Sequence, residues 1–304
     1  MNNLLIGDCR NILPTLEAQS VQCVVTSPPY YKLRDYGAKE QIGQEATYQE
    51  YIESLVDVFR EVRRVLKDDG TVWLNLGDSY AGSGHGGNLG KNKKLKSMTP
   101  LKQTPLSGLK KKDLIGVPWR VAFALQEDGW YLRQDIIWHK PNVMPESVKD
   151  RCTKSHEYIF LLSKSKNYYF DAEAIKEPVV SIKGNNKTFR NGGVYTKGQS
   201  YFNSKKIEAE THGNKPNESG KRNKRDVWTI PTHPYKGAHF AAFPLKLVIP
   251  CVLAGTREGD VILDPFFGSG TVAEAAALLN RNWLGIDINP DYEPLYKQRL
   301  VLFA

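Results

Sequence analysis

Two apolar, β-branched runs end in sharply punctuated corners. Val21-Gln22-Cys23-Val24-Val25 runs into Thr26-Ser27-Pro28-Pro29-Tyr30, and Val261-Ile262-Leu263 runs into Asp264-Pro265-Phe266-Phe267-Gly268-Ser269-Gly270-Thr271. Short apolar runs bounded by turn residues suit strands buried on both faces, as in a parallel sheet covered by helices. In open sheets of this kind ligands sit outside the carboxyl ends of the strands, where both corners fall. One corner is rigid, aromatic and polar; the other is a glycine-rich turn that opens a helix.

The rest of the chain keeps the alternation of strands and helices. Asn3–Ile6 reads as a short strand running into Gly7-Asp8-Cys9, followed by a helical stretch to Leu16. From Thr47 to Lys67 the residues Tyr48, Tyr51, Ile52, Leu55, Val56, Phe59 and Val62 recur at helical spacing, which gives one buried face. Asp68-Asp69-Gly70 reads as the turn that ends this helix, and 71–77 as the next core strand. Beyond it the pattern predicts helices over 118–127, 172–176, 244–254 and 271–280, with strands over 131–138, 155–162, 168–170, 261–263 and 283–287. Such a chain is α/β with a doubly wound, mostly parallel sheet.

Two stretches break the pattern. Residues 81–112 hold eight lysines and no acid, and 181–225 hold eleven Lys or Arg against three Glu, amid many Asn and Gly. The first is expected as a mobile basic loop and the second as an insertion, both upon a single domain spanning 1–304. Over the whole chain 42 Lys and Arg outweigh 33 Asp and Glu, a net charge of +9. That excess suits a nucleic acid, and equally a solvated basic surface. The four cysteines, Cys9, Cys23, Cys152 and Cys251, form no C-x-x-C pair, so neither a metal site nor a disulfide framework is expected. No signal peptide opens the chain and no apolar run approaches a membrane span, which points to a cytoplasmic protein without a membrane partner.

A glycine-rich turn between strand and helix lets a ligand approach the backbone and offers it unpaired helix N–H groups. Neither a G-x-x-x-x-G-K-[ST] phosphate loop nor a G-x-G-x-x-G fingerprint is present. Asp264 stands at the tip of its strand, where an acid can meet an ammonium group. Asp287 ends the next strand in Gly285-Ile286-Asp287, where it can accept the two hydroxyls of a ribose or cap the following helix.

Together these motifs resemble those of amino-group DNA methyltransferases. Their order resembles the β group of that family, because the Ser27 corner precedes the glycine loop by more than two hundred residues and target recognition lies between them. Trp138-His139-Lys140-Pro141-Asn142, Asp150-Arg151, His156-Glu157 and Asp226-Val227-Trp228 extend the likeness over nearly the whole chain. The resemblance implies the class I S-adenosylmethionine-dependent methyltransferase fold in permuted order. It implies S-adenosylmethionine as cofactor, its methionine end held around Asp264, Phe266, Gly268, Ser269, Gly270 and Thr271. His239 and Phe243 would lie beside that moiety, Asp8 and Cys9 near the adenine, and Asp287 at the ribose. For His239 a helix-start or core role stands as the alternative.

Ser27, Pro28, Pro29 and Tyr30 are then the reacting corner. An exocyclic amine is a poor nucleophile because its lone pair is delocalised into the ring. The Ser27 hydroxyl and the Pro28 carbonyl can accept its two N–H groups, and the paired prolines fix the direction of that carbonyl. Tyr30 offers a ring to a base flipped out of the duplex, and such stacking is worth about 1–3 kcal/mol. No metal and no covalent enzyme intermediate is needed. A carbon-5 cytosine enzyme would need a nucleophilic cysteine, but Pro250-Cys251 falls within an apolar run read as a buried helix.

The implied partner is double-stranded DNA, with the two basic stretches supplying phosphate and base contacts. No nuclease motif is visible, so a restriction endonuclease would be a separate chain. Serine at the first corner position goes with N4 of cytosine in related enzymes and aspartate with N6 of adenine. Cytosine is therefore favoured; adenine N6, an RNA substrate and a silent DNA-binding module are the alternatives.

Overall fold

The computed structural model describes residues 2–33, 41–82, 107–179, 220–232 and 243–301. The chain divides into two compact units, Met1–Ala174 with Arg225–Ala304, and Ile175–Lys224. The larger unit is built on one sheet. Its strands are β1 (Asn2–Ile6), β2 (Val21–Thr26), β3 (Leu66–Leu76), β4 (Tyr131–His139), β5 (His156–Ser163), β8 (Val227–Thr229), β9 (Val261–Asp264) and β10 (Asn282–Asp287). They lie in the order β1-β10-β9-β2-β3-β5-β4-β8. Every neighbouring pair is parallel except β3–β5 and β5–β4, so the sheet is mostly parallel, as the alternation predicts.

Helices cover the sheet: α1 (Cys9–Ile12), α2 (Tyr48–Val65), α3 (Val117–Glu127), α4 (Leu245–Gly255), α5 (Thr271–Leu278) and α6 (Glu293–Leu300). The sequence dictates α2 clearly. Thr47 and Glu50 form a reciprocal capping box that satisfies two backbone donors of the first turn. Tyr51, Leu55, Val58, Phe59 and Val62 then form a fully buried stripe. Arg64, at its far end, donates to the carbonyls of Leu13 and Leu16 and so ties α2 to the segment after α1. Strand β2 is buried along its whole length, as expected of a central parallel strand. No helix among the described residues is long and apolar enough to cross a membrane.

Three local expectations are corrected. Asp68-Asp69-Gly70 is not a turn between helix and strand but a bulge within β3, which starts at Leu66. Val21 pairs with Leu66 while Cys23 pairs with Thr71, so the four residues 67–70 stand opposite the single residue Gln22 of β2. A Cβ at Gly70 would lie 2.6 Å from Leu66 Cγ and 2.9 Å from Gln22 O, so the tight approach requires glycine. The 168–170 stretch joins no ladder; Tyr169 makes a single backbone bond to Asp69 O, and Phe170 stacks on Trp73. The 172–176 helix is a run of turns, begun by Asp171 accepting from Ala174 N. Two elements of the larger unit had no prediction, β8 and α6.

The smaller unit contains a two-stranded antiparallel ladder, β6 (Glu177–Pro178) with β7 (Lys221–Arg222). Arg222 pairs with Glu177 at 2.9 Å across it. Most of the two basic stretches, 83–106 and 180–219, lies outside the described residues.

Candidate active site

Strands β2 and β9 are parallel neighbours at the middle of the sheet, Cys23 opposite Ile262 and Val24 opposite Leu263. Both therefore release their corners at the same edge, although the corners are far apart in sequence. A side-chain bond locks them together: Thr26 donates through Oγ1 to Asp264 Oδ1 at 2.7 Å. The same oxygen accepts Phe266 N at 3.1 Å, which shapes the start of the glycine loop. Asp264 is only 1% exposed, and burial pushes its carboxyl up to about 7 against the opposing pull of those two donors, with the charge of Asp287 adding to the rise.

Asp287, on the adjacent strand β10, faces a cavity of about 620 Å³ at this edge of the sheet. Its Oδ2 accepts Gly268 N at 2.6 Å and its Oδ1 accepts Asn289 N at 2.9 Å, while burial raises its pKa above the ordinary carboxylate value. The turn that follows is capped by Asn289, not by Asp287, which removes the capping alternative for the acid. Next along the sheet, after β1, Asp8 caps α1 by accepting Arg10 N and pairs with the Arg10 guanidinium at 2.5 Å. Burial pushes the Asp8 pKa up, and the Arg10 bonds more than offset it, so the net direction is down. The buried Cys9 thiol is raised to about 12 by desolvation and by the neighbouring Asp8 charge.

The cavity brings most of the expected residues together. Asp8, Cys9, Ser27, Pro28, Pro29, Tyr30, Phe243, Phe266, Gly268, Ser269, Thr271 and Asp287 all line it. Asp264 and Gly270 do not. Asp264 was expected to present its carboxyl to a ligand, but its Oδ1 is taken by Thr26 and Phe266 beneath the loop, so it acts on the loop's shape. Gly270 is the N-cap of α5 with a φ of +79°, and a Cβ there would stand 2.6 Å from Tyr296 Cβ; its work is the turn itself. His239 lies outside the described residues. Cys251 is buried within α4, its thiol donating to Leu247 O, which bears out its reading as a core residue.

At the reacting corner the structure adds partners that the sequence motifs had not been assigned. Tyr30 donates to Glu157 Oε2 at 2.8 Å and lies 3.2 Å from Asn75 Oδ1, and Ser27 Oγ donates to Tyr30 Oη at 3.5 Å. Asn75 Nδ2 donates to Glu157 Oε2 at 3.3 Å and to Tyr158 O at 3.0 Å. Lys140 closes the cluster through an ion pair with Glu157 Oε1 and sits 4.1 Å from the centre of the Trp138 ring. Tyr51 Oη donates to Pro29 O at 2.9 Å and fixes the corner from behind. Burial first, and then the Glu157 charge, holds the Tyr30 phenol well above its ordinary pKa, so it is a neutral donor. Signals for Asn75 and Glu157 did exist. Each is a polar residue within an apolar strand, and the antiparallel β3–β5 pairing, with Asn75 opposite Ile159, makes them diagonal neighbours in hydrogen-bond reach.

The residues suit a nucleoside bearing an amino-acid arm. The cavity falls in the size range of small-molecule sites, and its floor carries the N-terminus of α5, a place that favours a carboxylate. Asp287 retains acceptor capacity on the cavity side, since a carboxylate has about four lone-pair directions. Among the described residues no group of three or more His, Cys, Asp or Glu is arranged to hold a metal.

The sequence pattern of one family, DNA methylase of the N6/N4 type, matches residues 21–298. The Type II methyltransferase M.SmaI of Serratia marcescens is 49% identical over 299 residues, covering 98% of this chain and 90% of that one. Two solved structures share the fold. The cytosine-N4-specific PvuII DNA methyltransferase has a TM-score of 0.65 at 18% identity, over 99% of this chain and 86% of that chain. The complex of M1.HpyAVI with S-adenosylmethionine has a TM-score of 0.53 at 18% identity, over 99% and 100%. With a pattern that spans nearly all of its length and a relative at almost half identity, the chain belongs to the DNA methylase family of N6/N4 enzymes.

Proposed function

We propose that this enzyme transfers a methyl group from S-adenosylmethionine to the exocyclic amine of a base flipped from duplex DNA, at N4 of cytosine within one short sequence. The observation that carries the reading is that the Ser27 corner and the glycine loop open into one cavity from neighbouring strands β2 and β9. The likeness to M.SmaI, a Type II methyltransferase, supports a site-specific DNA substrate and a restriction endonuclease encoded as a separate chain. Serine at position 27 is the feature that favours cytosine over adenine.

When bound, the cofactor supplies an electrophilic methyl group on a sulfonium. The chain's own residues do the rest. Gly268, Ser269 and Thr271 at the head of α5, with Phe266 beside them, would receive the methionine arm and its carboxylate, Asp287 the ribose hydroxyls, and Asp8 and Cys9 the adenine. Ser27 Oγ and the Pro28 carbonyl would accept the N–H groups of the target amine, while Tyr30 offers its ring. Because Tyr30 is anchored by Glu157 and the corner is held by Tyr51, these groups are in place before the base arrives, and rate comes from such positioning. The basic stretches 81–112 and 181–225 would read the target sequence through phosphate and base-edge contacts.

The reading is tested by expressing the chain in a methylation-deficient bacterial host and sequencing the DNA by a kinetics-sensitive single-molecule method. N4-methylcytosine in one short motif is the expected result. Modified adenine would overturn the choice of base. An unmodified genome, in cells that hold cofactor-binding protein, would overturn the DNA substrate.

A further inference from the structure

A serine hydroxyl can accept a hydrogen bond from the target amine, but it is no base at neutral pH. The amine must nevertheless shed a proton. Once nitrogen has given its lone pair to the incoming methyl group it carries a positive charge, and conjugation with the ring is restored only when an N–H bond breaks. Resting on the function proposed above, we infer that Glu157 is the group that finally takes this proton, through the hydroxyls of Ser27 and Tyr30.

The hydrogen bonds run in one direction. Ser27 Oγ donates to Tyr30 Oη at 3.5 Å, and Tyr30 Oη donates to Glu157 Oε2 at 2.8 Å. Among the described residues bonded to Ser27 or Tyr30, Glu157 alone carries a carboxylate. Its other oxygen is paired with Lys140, and Asn75 Nδ2 donates to Oε2, so the acceptor is oriented from β3 and from the residue just after β4. Ser27, Tyr30, Asn75, Lys140 and Glu157 all line the cavity. An ion pair kept only for stability has no need to face a ligand, and apolar residues of similar size commonly serve as well.

The step balances as follows. An N–CH₃ bond forms as the S–CH₃ bond breaks, leaving a neutral thioether and a positive nitrogen. The N–H bond then breaks, and its electron pair returns to nitrogen and the ring. Its proton passes to Ser27 Oγ, the Ser27 proton to Tyr30 Oη, and the Tyr30 proton to Glu157 Oε2. The products are a neutral methylated amine and a neutral carboxylic acid, which resets by releasing its proton to water in the cavity.

Glu157→Gln keeps an acceptor for Tyr30 but removes the base, and Tyr30→Phe keeps the ring but cuts the relay. Three quantities are measured on a duplex holding the site found by sequencing. They are the single-turnover transfer rate, cofactor affinity by calorimetry, and extrusion of the base by 2-aminopurine fluorescence at the target. Both variants are expected to lose about 10²-fold or more in rate, in line with general acid–base contributions. Affinity and fluorescence should stay unchanged, and the double variant should be no slower than the slower single one. A rate within threefold of wild type in either single variant would refute the relay. So would a loss of rate accompanied by dimmed fluorescence, which would make Glu157 only a support for the Tyr30 ring. Wild-type protein that methylates no DNA at all would instead refute the function on which the inference rests.

Discussion

Replacing Asp264 by Asn should stabilise this fold, and more so as pH rises. The carboxyl is buried and its pKa stands at about 7 against an ordinary 3.8. Below 3.8 both folded and unfolded chains carry the proton. Between 3.8 and about 7 the folded chain keeps a proton that the unfolded chain releases, so stability falls as pH rises through that window and is level above it. At 1.36 kcal/mol per unit, the whole window amounts to about 4 kcal/mol. Both bonds to Asp264 end on Oδ1, so an asparagine can keep them with its carbonyl while its amide occupies the place of Oδ2. Urea unfolding of the two proteins from pH 4 to pH 8 isolates this one group, provided m is unchanged. The variant should match wild type near pH 4 and exceed it by up to about 4 kcal/mol at pH 8. A difference that stays constant across the range would refute the reasoning.

Gly285→Ala would place a Cβ 2.2 Å from Phe267 Cδ2, and that ring is pinned by Trp283 and Tyr296. Overpacking of this kind costs about 1–3 kcal/mol, read by urea unfolding. Calorimetry should show cofactor affinity falling about tenfold for each 1.4 kcal/mol passed to the glycine loop. Tyr51→Phe removes the donor to Pro29 O, at about 1–3 kcal/mol. It should slow methyl transfer while leaving calorimetric cofactor affinity intact; an undiminished transfer rate would show that the corner is held from elsewhere.

Much of this was legible because local and global signals agree. β2 and β9 are largely apolar strands with punctuated ends, and α2 carries both its cap and its stripe in the sequence. What escaped depends on the neighbouring strand. Asp68-Asp69-Gly70 has the composition of a turn, and only pairing with β2 makes it a bulge. An acid after Leu263 is obvious, but the direction of its carboxyl is set by Thr26, a hydroxyl far away in sequence. Glu157 stood in a recognised segment without a role, because its meaning comes from Tyr30 and Lys140 across the cavity. Helix α6 has no fully buried residue, and is held by the Tyr296 ring against Phe267 and Trp283 and by Arg299 reaching Glu274 and Ser269 Oγ.

The ladder of β6 and β7 has a consequence for how such enzymes change. Val179 N bonds Gly220 O at 2.9 Å, so the chain leaves this ladder and rejoins it at one tied neck. The entropy of closing a chain between two ties grows only with the logarithm of its length, and doubling that length costs about 0.6 kcal/mol. Insertions, deletions or wholesale grafts between 179 and 220 therefore meet little thermodynamic resistance at the neck, whatever their size. A lineage built this way can exchange the segment between its ties while the strands that perform the chemistry stay as they are.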